Sequence, residues 1–296
     1  MALAVVLTAA GLGSCTSPSA SGHTTLQVVA AENFYGSLAR QIAGPDASVT
    51  SILSNPDADP HLFQPGTDTG QAVATADVVI ENGAGYDPWM DRLLAAAPRA
   101  HRFVVNIADV LHVSGADPNP HLWYDAYQMP QVISAIKAAL VRADPAHKHT
   151  YRAGAASATK ALGPLIDQVH QLRQSDGGDP VAYTERVPEY LLSDAGLRVL
   201  TPASFARAIE DGTDPSASDI ASMQSLLLQH RVDALLYNRQ ATSPLTERLR
   251  QVAVANHVPV VAVTETLPAG LTFVRWQLEQ VKALEKALAT GVTGSG

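Results

Sequence analysis

The chain has 296 residues, 46% hydrophobic, 16% charged and 5% aromatic, a globular composition long enough for one large or two medium domains. Its formal net charge of −8 and the absence of any Lys/Arg cluster exclude a nucleic-acid binder, which must set cations against phosphates. One cysteine, Cys15, excludes a disulfide framework and any zinc site built from cysteines.

Residues 1–14 form an apolar run too short to span a bilayer and of the right size for the core of a secretory signal. No basic segment precedes it, so an earlier natural start is expected. Leu12-Gly13-Ser14-Cys15 resembles the lipobox of bacterial lipoproteins, which implies cleavage before Cys15 and lipid attached to it. Residues 16–22 are small and read as a tether, so residues 1–22 are set apart as signal and tether. No later stretch is apolar for long enough to cross a membrane, and the remainder is expected to be an extracytoplasmic body.

Strand and helix patterns then alternate. Residues 26–31 read as a buried strand, and residues 33–42 as a helix with Phe34, Leu38 and Ile42 on one face. A strand at 48–53, a short helix at 69–75, a strand at 77–82, a helix at 88–97 and a strand at 102–107 follow, and a loop leads to His121. Residues 126–142 are helical. From Pro145 a helical pattern runs to about residue 174, about 45 Å at about 1.5 Å per residue, and reads as a rigid strut with Gly163-Pro164 as the place to kink. After the composition break at 175–180 come strands at 181–184, 197–200, 234–237 and 258–263, with helices at 187–195, 218–230, 244–256 and 271–289. The order is that of parallel βαβ units. It predicts an α/β protein with lobes at 23–143 and 176–296 joined by a linker helix at 144–175.

Two stretches share a Pro-His-Leu-aromatic core: Asp59-Pro60-His61-Leu62-Phe63-Gln64-Pro65 and Asn119-Pro120-His121-Leu122-Trp123-Tyr124-Asp125. Proline stiffens the backbone at each, so both imidazoles are expected to leave preset, non-helical segments. His61 and His121 each lie beyond a strand end, where ligands collect in parallel sheets, and so do Glu185 and Glu265 in the second half. Across a cleft, two neutral imidazoles and two carboxylates would balance a divalent cation, with Mn²⁺, Zn²⁺ and Fe²⁺ all compatible. Carboxylates able to bind through one or both oxygens favour Mn²⁺ over a strictly tetrahedral Zn²⁺. Either glutamate also suits a solvated loop or, for Glu185, the start of a helix. Asp125 is placed to cap the helix after it, the preferred reading, or to hold His121 in one tautomer. Trp89, Trp123 and Trp276 are expected to pack.

These motifs resemble the metal-binding lipoproteins of bacterial ABC importers for zinc and manganese, the cluster A-I solute-binding proteins. Asp59-Pro60-His61 with Gln64-Pro65 is similar to the family's first ligand motif, and Asn119-Pro120-His121-Leu122-Trp123 with Asp125 to its second. Thr184-Glu185 is similar to the third ligand of manganese-type members; the fourth is normally Asp, where this chain has Thr264-Glu265. The resemblance implies two Rossmann-like lobes on one long rigid helix, with the metal in the cleft between them and little hinge motion. It also implies an ABC permease and its ATPase as partners, a lipid anchor in the membrane, and no catalysis; a monomer is expected. A His-rich loop common in zinc-specific members is missing between the first two motifs. The rivals are a secreted metal-dependent hydrolase, for which no Gly-x-Ser-x-Gly or His-Glu-x-x-His is present, and an adhesin-like surface lipoprotein.

Overall fold

The computed structural model describes residues 25–56 and 59–291. The signal, Cys15 and the tether expected at residues 1–22 lie outside them. Leu26–Glu32 (β1) is buried along nearly its whole length, as suits a strand covered by helices on both faces of a parallel sheet. Asn33–Ala43 (α1), Ala47–Leu53 (β2), Thr67–Thr75 (α2), Val78–Glu81 (β3), Pro88–Ala96 (α3), Phe103–Asn106 (β4), Ile107–Val110 (α4) and Met129–Ala143 (α5) follow. The four strands make one parallel sheet in the order β2-β1-β3-β4.

A 3-10 turn at Pro145–His147 leads into Lys148–Ala161 (α6) and Gly163–Asp176 (α7). The strut is thus two segments, interrupted at Leu162. Pro164 lacks the N–H of an unbroken helix, but Leu162 keeps a right-handed helical backbone, so the chain stays helical through the interruption.

The second lobe runs Pro180–Tyr183 (β5), Glu189–Asp194 (α8), Arg198–Val199 (β6), Ala203–Glu210 (α9), Ala217–Leu228 (α10), Ala234–Asn238 (β7), Pro244–Ala255 (α11), Val260–Val263 (β8) and Phe273–Gly291 (α12). Its sheet is again parallel, in the order β6-β5-β7-β8. Local chemistry fixes the helix starts: at α11, Ser243 and Thr246 form a reciprocal capping box around Pro244.

The strut is held at both ends, α6 against α1 and α5, and α7 against α12. Contact with α1 is so close that a Cβ at Gly154 would lie 2.2 Å from the Ile42 carbonyl oxygen, which only glycine permits. One apolar core runs without interruption from Val28 and Phe34, through Tyr151, Leu165 and Val169 of the strut, to Val181, Trp276 and Leu284. Parting the two sheets would expose that shared core to water, which opposes wide hinge opening.

Candidate metal centre

The first imidazole is set by a short cap. Pro60 holds Asp59, not His61, in an extended conformation (φ −71°, ψ 115°). The Asp59 carboxylate then accepts the His61 backbone N–H at 2.9 Å and folds the segment into a 3-10 turn over Pro60–Leu62. The non-helical backbone expected at His61 is therefore corrected to a turn of 3-10 helix.

His121 is fixed through its other nitrogen. Asn119 donates its amide to the Arg186 carbonyl and to Glu189, each at 2.9 Å, which makes its Oδ1 the acceptor. That oxygen takes the His121 backbone N–H at 3.0 Å and lies 2.7 Å from Nδ1. The ring proton thus sits on Nδ1, and Nε2 is left as a bare electron-pair donor. The orienting partner considered for His121, Asp125, closes the turn ahead of α5 instead, accepting the Gln128 N–H at 3.0 Å. Asn119 is the nearer group, and the Asp125 carboxylate is drawn to unpaired backbone donors at a helix start. Behind the ring, Asn82 holds the Pro120 carbonyl at 2.9 Å, and Trp123 packs edge-on at 5.3 Å.

From the opposite lobe, Glu185 follows β5, Asn238 ends β7 and Glu265 follows β8, all at the carboxyl ends of parallel strands. Oε2 of Glu265 lies 3.4 Å from His61 Nε2 and 3.5 Å from His121 Nε2, and accepts the Tyr86 hydroxyl at 3.1 Å. Among the described residues, His61, His121 and Glu265 form the one group of three that brings a donor atom from each within 4.8 Å of the others. Glu185 is not in that group; it is tied to it through Asn238, whose amide donates to Oε2 of Glu185 and, at 2.7 Å, to Oε1 of Glu265. Two buried atoms at this spot, His121 Nε2 and Glu185 Oε1, have no hydrogen-bond partner. A cation held by His61, His121 and Glu265 would satisfy the first, and one that also drew in Glu185 would satisfy the second.

Burial opposes charge on His61, but the Glu265 carboxylate outweighs it and raises the ring to about 9. Glu185 is pushed up by burial and then by the charge of Glu265. Burial pushes Glu265 up as well, but His121 and His61, whose rings face its Oε2, overcome it and hold its carboxyl far below the usual range. Near neutral pH the metal-free centre therefore carries a proton on His61 that an incoming cation must displace. We expect metal binding at pH 7.5 to release about one proton or more, and apparent affinity to rise with pH until His61 titrates near 9. Calorimetry in buffers of different ionisation enthalpy checks this; a binding heat independent of buffer would refute it.

A cavity of about 270 Å³, lined in part by His61, Tyr86, His121, Arg186 and Glu210, leads to the centre from the surface. Three groups around it carried no sequence signal of their own: Asn238, Gln240 and Tyr86. Asn238 ends a buried strand just as Glu185 and Glu265 follow theirs, and that shared position was the available clue. Gln240 accepts the Glu265 and Thr266 N–H groups at 2.5 and 3.1 Å, and its own amide reaches the Pro56 carbonyl at 2.8 Å, in the segment leading to His61.

A family model described as zinc-uptake complex component A, periplasmic, matches residues 28–287. The manganese-binding lipoprotein MntA of Halalkalibacterium halodurans is 29% identical over 172 residues, 57% of this chain and 56% of that relative, so the match spans little over half of its length. The manganese ABC transporter substrate-binding lipoprotein scaA of Streptococcus gordonii is 21% identical over 276 residues, 87% of this chain and 86% of the relative. Among solved structures, the periplasmic zinc binding protein TroA from Treponema pallidum superposes with a TM-score of 0.77 at 18% identity, covering 90% of this chain and 99% of TroA. That likeness shows the same two-lobed α/β fold.

Proposed function

The chain belongs to the family of the periplasmic component A of zinc-uptake complexes, and from that membership we propose that it captures a divalent transition metal, manganese or zinc, between its lobes and delivers it to an ABC permease driven by an ATPase. It is a binding component of an import system and not an enzyme. The observation that carries the reading is the convergence of His61, His121 and Glu265 within 4.8 Å, with Glu185 tied alongside by Asn238. Two imidazoles and two carboxylates suit an intermediate cation and balance its charge. The names of the relatives, which include manganese-binding and zinc-binding lipoproteins, agree with both ions.

Because the cation would bind the folded chain and not the unfolded one, metal should stabilise by mass action, by about 2.7 kcal/mol at a hundredfold excess over Kd. A melting temperature unchanged by Mn²⁺ and by Zn²⁺, after stripping with chelator, would remove the reading. Anchoring to the membrane through lipid on Cys15, and action as a monomer, complete the proposal. No helix among the described residues is long and apolar enough to cross a membrane. Detergent-phase partition of the natural protein that persists after Cys15→Ala would refute the lipid anchor.

A further inference from the structure

We propose that Asn238 sets the coordination number of the captured ion and thereby tilts the centre toward Zn²⁺ over Mn²⁺; the inference rests on the metal-capture reading above. Each carboxylate has one oxygen engaged by the same amide. Asn238 Nδ2 donates one N–H to Oε2 of Glu185 and the other to Oε1 of Glu265, so both of its protons are used. The amide cannot flip. Its Oδ1 accepts the Gln240 backbone N–H at 3.0 Å, and its own backbone N–H is held by Thr184 Oγ1 at 3.1 Å. Asn238 is wholly buried, so no water can replace either carboxylate as a partner without rearrangement.

What remains for a cation is one atom per side chain. Glu265 presents Oε2, which faces both imidazoles and carries only the Tyr86 hydroxyl at 3.1 Å, and Glu185 presents Oε1, buried and without a hydrogen bond. With Nε2 of His61 and of His121, and with Glu185 drawn in from beside the group of three, the donor set is two nitrogens and two oxygens. Four N/O donors are what Zn²⁺ takes in a tetrahedral site. Mn²⁺ favours six oxygen-rich positions, and the two further oxygens it would draw from chelating carboxylates are the ones the amide holds. The expectation from sequence, that carboxylates free to use both oxygens favour Mn²⁺, thus meets a side chain that competes with the ion for the second oxygen of each. Asn238 does not touch the ion. It is a positioning residue that acts through the two glutamates.

The test compares the natural protein with Asn238→Ala and with the similarly shaped Asn238→Leu, which keeps the volume but has no donor. In the natural protein loaded with Zn²⁺ or Mn²⁺, difference infrared spectra should show carboxylate stretches split as for single-oxygen ligation. X-ray absorption should show four N/O neighbours around Zn²⁺. In the variants, both carboxylates should shift toward two-oxygen ligation of Mn²⁺, and the Zn²⁺/Mn²⁺ preference in competition calorimetry should fall at least tenfold. Two-oxygen ligation in the natural protein, or an unchanged preference in a folded variant, overturns the inference while leaving metal capture standing. If the variants do not fold, the infrared spectra of the natural protein decide alone. Failure of the natural protein to bind either ion would overturn metal capture and this inference together.

Discussion

His121→Ala is expected to weaken Mn²⁺ and Zn²⁺ binding about a hundredfold or more in calorimetric titration. The estimate follows from dividing about 10–16 kcal/mol, the scale for a structural zinc site, among four ligands; one ligand is then worth about 3 kcal/mol, and every 1.4 kcal/mol is tenfold. His121 should feel the full loss because it has no exposure to solvent from which water could replace it. His61, whose side chain is 29% exposed, should lose less on the same substitution. The ring is also held in one tautomer by Asn119, so its contribution is preorganised and a nearby group cannot take it over. Affinity for both ions within threefold of the natural protein would take His121 out of the centre.

Trp123→Ala should cost about 3–5 kcal/mol of folding stability, the range for deleting a large buried aromatic. Trp123 has no exposed surface and stacks on Phe34 at 4.3 Å, with Tyr86 edge-on at 4.9 Å and His121 at 5.3 Å. Its indole N–H has no partner, so the whole loss is packing. Trp123→Phe should therefore recover most of the stability. Urea unfolding measures both, and a loss under 1 kcal/mol for the alanine variant would show that the neighbours collapse into the space. The same indole forms a wall behind His121 and Tyr86, so metal affinity should fall in the alanine variant as well.

Much of this architecture is written in local pattern. The buried apolar runs at β1, β3, β5, β7 and β8 and the alternation with helices specify two parallel sheets, and the structure contains both. Two helices escaped the sequence reading. Four-residue α4 is shorter than a period can reveal, and α9 lies in a stretch, Pro202 to Pro215, whose two prolines and glycine look like a loop. At the centre, the paired Pro-His motifs and the strand-end glutamates single out four side chains because their residue types are themselves ligands. Asn238 and Gln240 act by hydrogen bonds between distant segments, Gln240 reaching Pro56 in the other lobe, and no spacing along the chain encodes such a contact. Asn119 sits inside a legible motif, but its work depends on Arg186 and Glu189, which only folding brings near.

The segment that carries Glu265 is laced to the first lobe on both sides. Tyr124 donates to the Thr264 carbonyl at 2.7 Å, and Asn33 both donates to and accepts from Leu267, at 2.8 and 2.9 Å. The Glu185 segment is fastened likewise, through Asn119 to the Arg186 carbonyl and Tyr190 to the Asn119 carbonyl. On the metal-capture reading, a hydrated ion arriving at the cavity would meet His61 first, the prospective ligand most open to solvent, and would shed water there before reaching the fixed interior donors. The order of dehydration would then follow from which ligand faces outward, so that His61 would govern the rate of capture and the buried donors the strength of retention.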